Sequence, residues 1–291
     1  MSSHLRNFID VTRLNKPIGY FLLFWPCACG LSLAYYFDRD INIFLFHLTL
    51  FFLGSILMRS AGCIVNDIVD EKIDKKVSRT KKRPIASGSL DKKLAWLYVL
   101  ILCLLAFIIL IQFNFLTICL GIFSMVFAFS YPFMKRFTYW PQLFLGFTFN
   151  WGSVMAWTSI MNDIDYLPII FYIGAIFWTL GYDTIYGVQD IADDEIIGNK
   201  STAIKFKKNI KLFTSLCYLV SSVLLIFILY PKMNSSYSSI FFILYLFSLV
   251  YQIKIFDTKK PNTCLKAFKL NNFSGLVLFL TIITLNINTE I

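Results

Sequence analysis

Nine stretches of the chain run for 17 to 25 residues without one Asp, Glu, Lys or Arg. They cover 17–37, 41–58, 94–113, 115–134, 137–161, 166–182, 212–231, 237–253 and 273–289. A helix rises about 1.5 Å per residue, so about 20 apolar residues cross the hydrocarbon core of a bilayer. The pattern therefore predicts a polytopic all-α membrane protein with nine transmembrane helices. The first apolar run follows a basic start, but it is long and many further spans follow it, so it does not read as a cleaved signal. No repeat, low-complexity tract or soluble domain interrupts the pattern, and 1–291 is expected to form a single membrane-embedded domain. The two longest polar segments are 59–93 and 183–211, and the chemistry is expected there.

Composition narrows the class. Of 291 residues, 57% are hydrophobic and only 15% charged, against about a quarter charged in an ordinary soluble domain. So apolar a chain is not disordered, and so few charges would not cover the surface of a soluble globule. The net charge of +10 would suggest nucleic acid in a soluble protein. In a membrane protein it reads through the positive-inside rule instead, and no nucleic-acid partner is expected. If alternate loops face opposite sides, 25 of the 27 Lys and Arg fall on one of them, with only Arg39 and Lys232 on the other. This predicts a cytoplasmic N-terminus, an odd number of spans and a C-terminus outside. The seven Cys lie mostly within apolar runs, without zinc spacing, and read as small buried residues rather than disulfides.

Nine of the 17 acidic residues fall into two short stretches on the cytoplasmic side, 66–74 and 183–195. Each follows directly on an apolar span and is expected to extend it as a helix. Asn66, Asp70 and Asp74 are spaced by four, Asp183 and Asp190 by seven, and Asp190 and Asp194 by four, so each set would share one helix face. Stacked carboxylates repel one another and call for a cation. Oxygen ligands without His or Cys suit a hard ion, foremost Mg²⁺, which commonly bridges carboxylates to substrate phosphates.

Basic residues flank both stretches. Arg79, Arg83 and Lys200 are the candidates for holding phosphate oxygens. For the other lysines nearby, the positive-inside rule is explanation enough. Arg59 lies seven residues before Asn66, on the same face and about 10 Å deeper, where a guanidinium needs an anionic partner. Tyr131, Lys135 and Arg136 end a span on the same side; they either reach the site or anchor the helix. His4 and His47 are isolated and receive no role.

With these residues in place, the chain resembles the UbiA-type intramembrane aromatic prenyltransferases, and among them the branch that acts on 4-hydroxybenzoate in ubiquinone synthesis. The motif N-D-x-x-D-x-x-x-D stands here as NDIVDEKID (66–74), followed by KKVSRTKKRPIASG. The second motif stands as YDTIYGVQDIADDEIIGNKST (182–202), with Gly187 where the family often has Ala. RLNKPIG (13–19), LLFWP (22–26), MRSAGC (58–63) and YPFMKR (131–136) match as well.

The resemblance implies nine helices around a central cavity with a cytoplasmic cap. It implies Mg²⁺ held through Asn66, Asp70, Asp74, Asp183, Asp190 and Asp194, with Asp67 and Asp193 in supporting positions. Asp70, Asp74, Asp190 and Asp194 would be the catalytic carboxylates. It implies a polyprenyl diphosphate donor and 4-hydroxybenzoate as acceptor, prenylated at the ring carbon ortho to its hydroxyl. Arg136 or Arg59 would hold the benzoate carboxylate. The rival acceptors are dihydroxynaphthoate, homogentisate and haem. A cation transporter is a different reading, but it expects ionisable groups near mid-membrane; a non-catalytic scaffold leaves the carboxylate register unexplained. The absence of an Arg- and Ser-rich leader favours a bacterial inner membrane over a mitochondrial one.

Overall fold

The computed structural model describes residues 3–77, 80–233 and 236–286. Every regular element among them is helical. In chain order these are α1 (Ser3–Thr12), α2 (Ile18–Tyr35), α3 (Ile41–Val69), α4 (Glu71–Asp74), α5 (Lys92–Leu110), α6 (Phe115–Phe137) and α7 (Pro141–Met161). Then follow α8 (Tyr166–Gly187), α9 (Ile191–Ile197), α10 (Thr202–Lys205), α11 (Ile210–Leu229), α12 (Ser236–Ile255), α13 (Pro261–Lys269) and α14 (Asn271–Ile283).

Helix starts are set by polar residues between the apolar runs. The Asp40 carboxylate accepts from the amides of Asn42 (2.8 Å) and Ile43 (3.2 Å) at the start of α3, and Asp91 accepts from Lys93 (3.0 Å) at the start of α5. The side chain of Asn114 accepts from Thr117 (2.9 Å) at the start of α6. Each satisfies amides that the first helical turn leaves without a partner.

Large apolar side chains point outward over the long helices, among them Leu97, Ile101 and Ile108 on α5, Leu219 and Phe227 on α11, and Phe247 and Val250 on α12. Polar side chains point inward. Asn150 on α7 donates to Thr179 Oγ1 on α8 (2.8 Å), Tyr218 on α11 donates to Gln252 on α12 (2.6 Å), and Trp178 on α8 donates to Asn271 on α14 (2.8 Å). That inversion of a soluble protein's plan marks an integral membrane protein, whose helices gain from small-residue packing and interhelical hydrogen bonds. Helices α2, α7 and α8 pack together, α11 lies against α8, and α14 lies against α2 and α12.

Two expectations change. Among the described residues, eight helices are long and apolar enough to cross a membrane, not nine. The expected span 137–161 does form a helix, the 21-residue α7, but its buried faces carry Gln142, Asn150, Ser153, Thr158 and Ser159, which dilute its apolar character. The acidic motifs also do not continue their spans as unbroken helices. Helix α3 runs well past the expected end at 58, then breaks at Asp70 (φ −93°, ψ 3°), so that Asp74 sits on the separate α4. After Gly187 a 3₁₀ turn, Val188–Asp190, separates α8 from α9, so Asp183, Asp190 and Asp194 lie on three successive pieces of chain. The register read from an uninterrupted helix is therefore not the one that arranges these carboxylates.

Candidate active site

A cavity of about 1530 Å³ opens into the bundle. One region of its wall is polar and carries Asn66, Asp70, Asp74, Asp183, Asp190 and Asp194 together with Arg59, Arg83, Tyr131, Lys135 and Lys200. Apolar side chains, among them Leu104, Phe107, Phe113, Met125 and Met155, line it as well. The breaks at Asp70 and at 188–190 thus fold both motifs against one chamber. Arg79 lies outside the described residues. Arg136 does not line the cavity; its guanidinium donates to the Val69 carbonyl (2.9 Å), caps the end of α3 and stands 3.5 Å from Asp70 Oδ1. Of the two ways to read Arg136, this geometry is that of a helix anchor.

The carboxylates of the first motif are held by cations from other elements. Asp70 is 1% exposed and pairs with Lys135 in the last turn of α6. Arg83, from the segment after α4, reaches Asp74 Oδ2 at 2.8 Å and Asp67 Oδ1 at 3.0 Å. Arg13 reaches the same Asp67 oxygen at 2.5 Å. Arg13 sits at the corner between α1 and α2 with φ 57°, a left-handed conformation that costs a non-glycine residue about 1 kcal/mol. Sequence reasoning gave Arg13 no role. The available signal was its place at the head of RLNKPIG, just before the first span. Glu71 faces outward from the site and ties α4 to the start of α5. Hydrogen bonds from Lys75 and Lys92 hold its carboxyl down at about 2.

The second motif is braced by backbone contacts. The Lys200 amide donates to the Lys135 carbonyl (2.8 Å), and the Thr202 amide donates to Gln142 Oε1 (3.0 Å). The hydroxyls of Thr184 and Thr202 lie 2.7 Å apart, and Asn199 donates to Asp194 Oδ1 at 2.9 Å. Gly198 (φ 76°) supplies the left-handed turn that ends α9. The Lys200 ammonium lies over the Tyr139 ring and 3.3 Å from the Phe137 carbonyl. These contacts join the second motif to the end of α6, which also carries Lys135.

Arg59 stands deeper in the chamber, its guanidinium over the Phe149 ring at 5.4 Å to the centroid. Gly19 makes room for it: a Cβ there would lie 2.7 Å from Arg59 Nε.

The donor set suits a hard divalent ion, being carboxylate and amide oxygens alone. Asp70 Oδ1 is buried and makes no hydrogen bond among the described residues; its nearest cation is the Arg136 guanidinium at 3.5 Å, and a lone pair remains for a metal ion. No group of three or more His, Cys, Asp or Glu side chains converges at metal-binding distance among the described residues, so the fit rests on ligand chemistry and the shared chamber.

A membrane-embedded helical bundle whose chamber is acidic and basic at one end and apolar beyond defines the class of intramembrane prenyltransferases. The chain belongs to the UbiA prenyltransferase family, whose profile matches residues 23–275. It is 38% identical over 291 residues to the mitochondrial 4-hydroxybenzoate polyprenyltransferase of Caenorhabditis elegans, covering 99% of this chain and 81% of that one. It is 39% identical over 280 residues to the 4-hydroxybenzoate octaprenyltransferase of Vibrio atlanticus, covering 95% and 96%. In fold it is similar to the apo UbiA homolog from Aeropyrum pernix K1, with a TM-score of 0.75 at 21% identity over 92% of this chain and 98% of that one. A UbiA homolog from Archaeoglobus fulgidus, solved bound to DMAPP and Mg²⁺, superposes with a TM-score of 0.69 at 17% identity over 96% and 99%.

Proposed function

We propose that this chain, acting as one domain over 1–291, transfers a polyprenyl group from its diphosphate to the carbon of 4-hydroxybenzoate beside the hydroxyl. The observation that carries this reading is one chamber lined by both acidic motifs, by Arg and Lys, and by a run of apolar side chains. The kinship with 4-hydroxybenzoate polyprenyltransferases supports the acceptor.

Mg²⁺ would be held by Asn66, Asp70, Asp74, Asp183, Asp190 and Asp194, where its charge stabilises the departing diphosphate. Arg83 and Lys200 border the same polar end and add hydrogen-bond donors to the leaving oxygens. The allylic cation forms in a chamber walled by side chains such as Phe149, Phe107 and Phe113, which exclude water. Leu100, Leu104 and Ile122 line the cavity and are each more than half exposed, so a long tail meets an apolar wall there. Arg59, with no ion pair among the described residues, is the better placed of the two arginines to hold the benzoate carboxylate and so orient the ring.

Helix α7 is long enough, at about 30 Å, to serve as a further pass. With it counted, the charge asymmetry supports an N-terminus and an active site toward the cytoplasm and a C-terminus outside.

Membranes given labelled 4-hydroxybenzoate, a polyprenyl diphosphate and Mg²⁺ should yield a lipid-extractable product. EDTA should stop turnover and added Mg²⁺ restore it; product formation that is indifferent to chelation would contradict the metal assignment. Arg59→Ala should raise the apparent KM for 4-hydroxybenzoate about tenfold or more, the loss expected for one charge-assisted contact, and change that for the diphosphate far less. The opposite pattern would move Arg59 to the donor site.

A further inference from the structure

Gly19 is the second residue of α2, where the backbone is helical and glycine is less favourable than alanine. Its conformation therefore does not call for glycine. Its surroundings do. The three heavy atoms that a Cβ would approach most closely all belong to the Arg59 head: Nε at 2.7 Å, Nη2 at 3.3 Å and Cζ at 3.4 Å. The conflict is with the guanidinium itself, not with its apolar stem. On α7, the Phe149 ring lies under the same guanidinium, 5.4 Å from Cζ to the ring centroid. Phe149 is buried in the core cluster that also contains Leu22 and Leu145, so the ring is itself held in place. Gly19, Arg59 and Phe149 all line the chamber. Among the described residues no hydrogen bond or ion pair holds the Arg59 head. Its place is set by an aromatic face and by a missing methyl group, and its donors stay free for what enters the chamber.

We propose that Gly19 and Phe149 are positioning residues for Arg59, and that the seat they form makes the chamber select an acceptor ring bearing a carboxylate over a neutral one. A guanidinium resting on a ring face keeps donors along its edge, the geometry that meets a carboxylate with paired hydrogen bonds. A Cβ at residue 19 would move that head, and a small misplacement of a group that orients a reactant is costly. Neither positioning residue needs to touch the carboxylate; both act through Arg59.

The inference rests on the prenyl-transfer reading, with Arg59 facing the acceptor. In steady-state assays, Gly19→Ala should raise the apparent KM for 4-hydroxybenzoate about tenfold and change that for the polyprenyl diphosphate less than about twofold. The wild type should prefer 4-hydroxybenzoate to the uncharged 4-hydroxybenzamide, and both Gly19→Ala and Phe149→Leu should narrow that preference. The deciding measurement combines substitutions. In an Arg59→Ala background, Gly19→Ala should cost nothing further, because the atoms that its Cβ meets are gone; such non-additivity marks residues that act on one another. A Gly19→Ala effect of the same size in both backgrounds would mean that the substitution disturbs α2 and not Arg59, and would overturn the proposal. An unchanged KM and preference in Gly19→Ala would overturn it as well. If Gly19→Ala alone does not fold, the double variant with Arg59→Ala should return to wild-type levels in the membrane, and its failure to do so would count against the seat. If Arg59→Ala instead raises the KM for the diphosphate, the acceptor reading falls; loss of the Gly19→Ala effect in that background would still show that Gly19 seats Arg59.

Discussion

Replacing Asp70 by Asn should reduce prenyl transfer by about 10²–10³-fold, the loss typical when one preorganised electrostatic contact to a transition state is removed. Asp70 is the junction of the first motif: it ends α3, is 1% exposed, and has Lys135 on one oxygen and Arg136 at 3.5 Å from the other, which makes no hydrogen bond among the described residues. Asn is the better test than Ala. It keeps the shape and one acceptor oxygen, so Lys135 retains a neighbour, whereas Ala would remove that partner altogether. Activity and folding are then read separately. The variant should reach wild-type levels in the membrane, turn over at a small fraction of the wild-type rate, and need more Mg²⁺ for half-maximal activity. Asp190→Asn should behave alike from the opposite motif. Wild-type turnover in either variant would remove that carboxylate from the ionisation step.

The helices were legible in the sequence because a bilayer makes one strict demand, about 20 residues without charge, and the chain meets it openly. Residues 17–37 became α2 and 115–134 became α6, each within a few residues. The segment 137–161 was legible as a helix, but its polar residues turn inward to hydrogen-bond partners such as Thr179, a distinction that apolar counting does not make. The breaks at Asp70 and at 188–190 were hidden for a different reason. Regular spacing of four and seven describes an ideal helix, whereas the chain leaves helical geometry where contacts from elsewhere, such as Lys135 on Asp70, bind it. Arg83 was legible from its position beside the motif. Arg13 was not, because its partner lies 54 residues away and only the fold brings the two together. Arg136 shows the converse: adjacent to Lys135 in sequence, it points to the end of α3 rather than into the chamber.

The second large effect concerns the framework that holds this chamber open. Gly30 on α2 packs against the backbone of α7 so closely that an added Cβ would lie 2.8 Å from Ser153 Cα and nearer still to its carbonyl oxygen. Backbone cannot rotate out of the way as a side chain can, so even Ala requires α2 and α7 to separate. Overpacking a well-filled interior costs about 1–3 kcal/mol, and a rigid contact lies at the upper end of that range. The damage would spread to the site, because α7 also holds α8, which carries Asp183, through the hydrogen bond from Asn150 to Thr179. Gly30→Val should therefore yield little folded protein, and Gly30→Ala should lower the thermal midpoint in detergent and reduce prenyl transfer. Gly54 on α3 provides the contrast, since a Cβ there meets nothing within 4 Å. Gly54→Ala should leave the midpoint unchanged or raise it, because Ala in a helix is favoured over Gly by about 0.5–1 kcal/mol. If both substitutions shifted the midpoint in the same direction, close approach of α2 to α7 would not be what limits Gly30, and the chamber would owe its shape to other contacts.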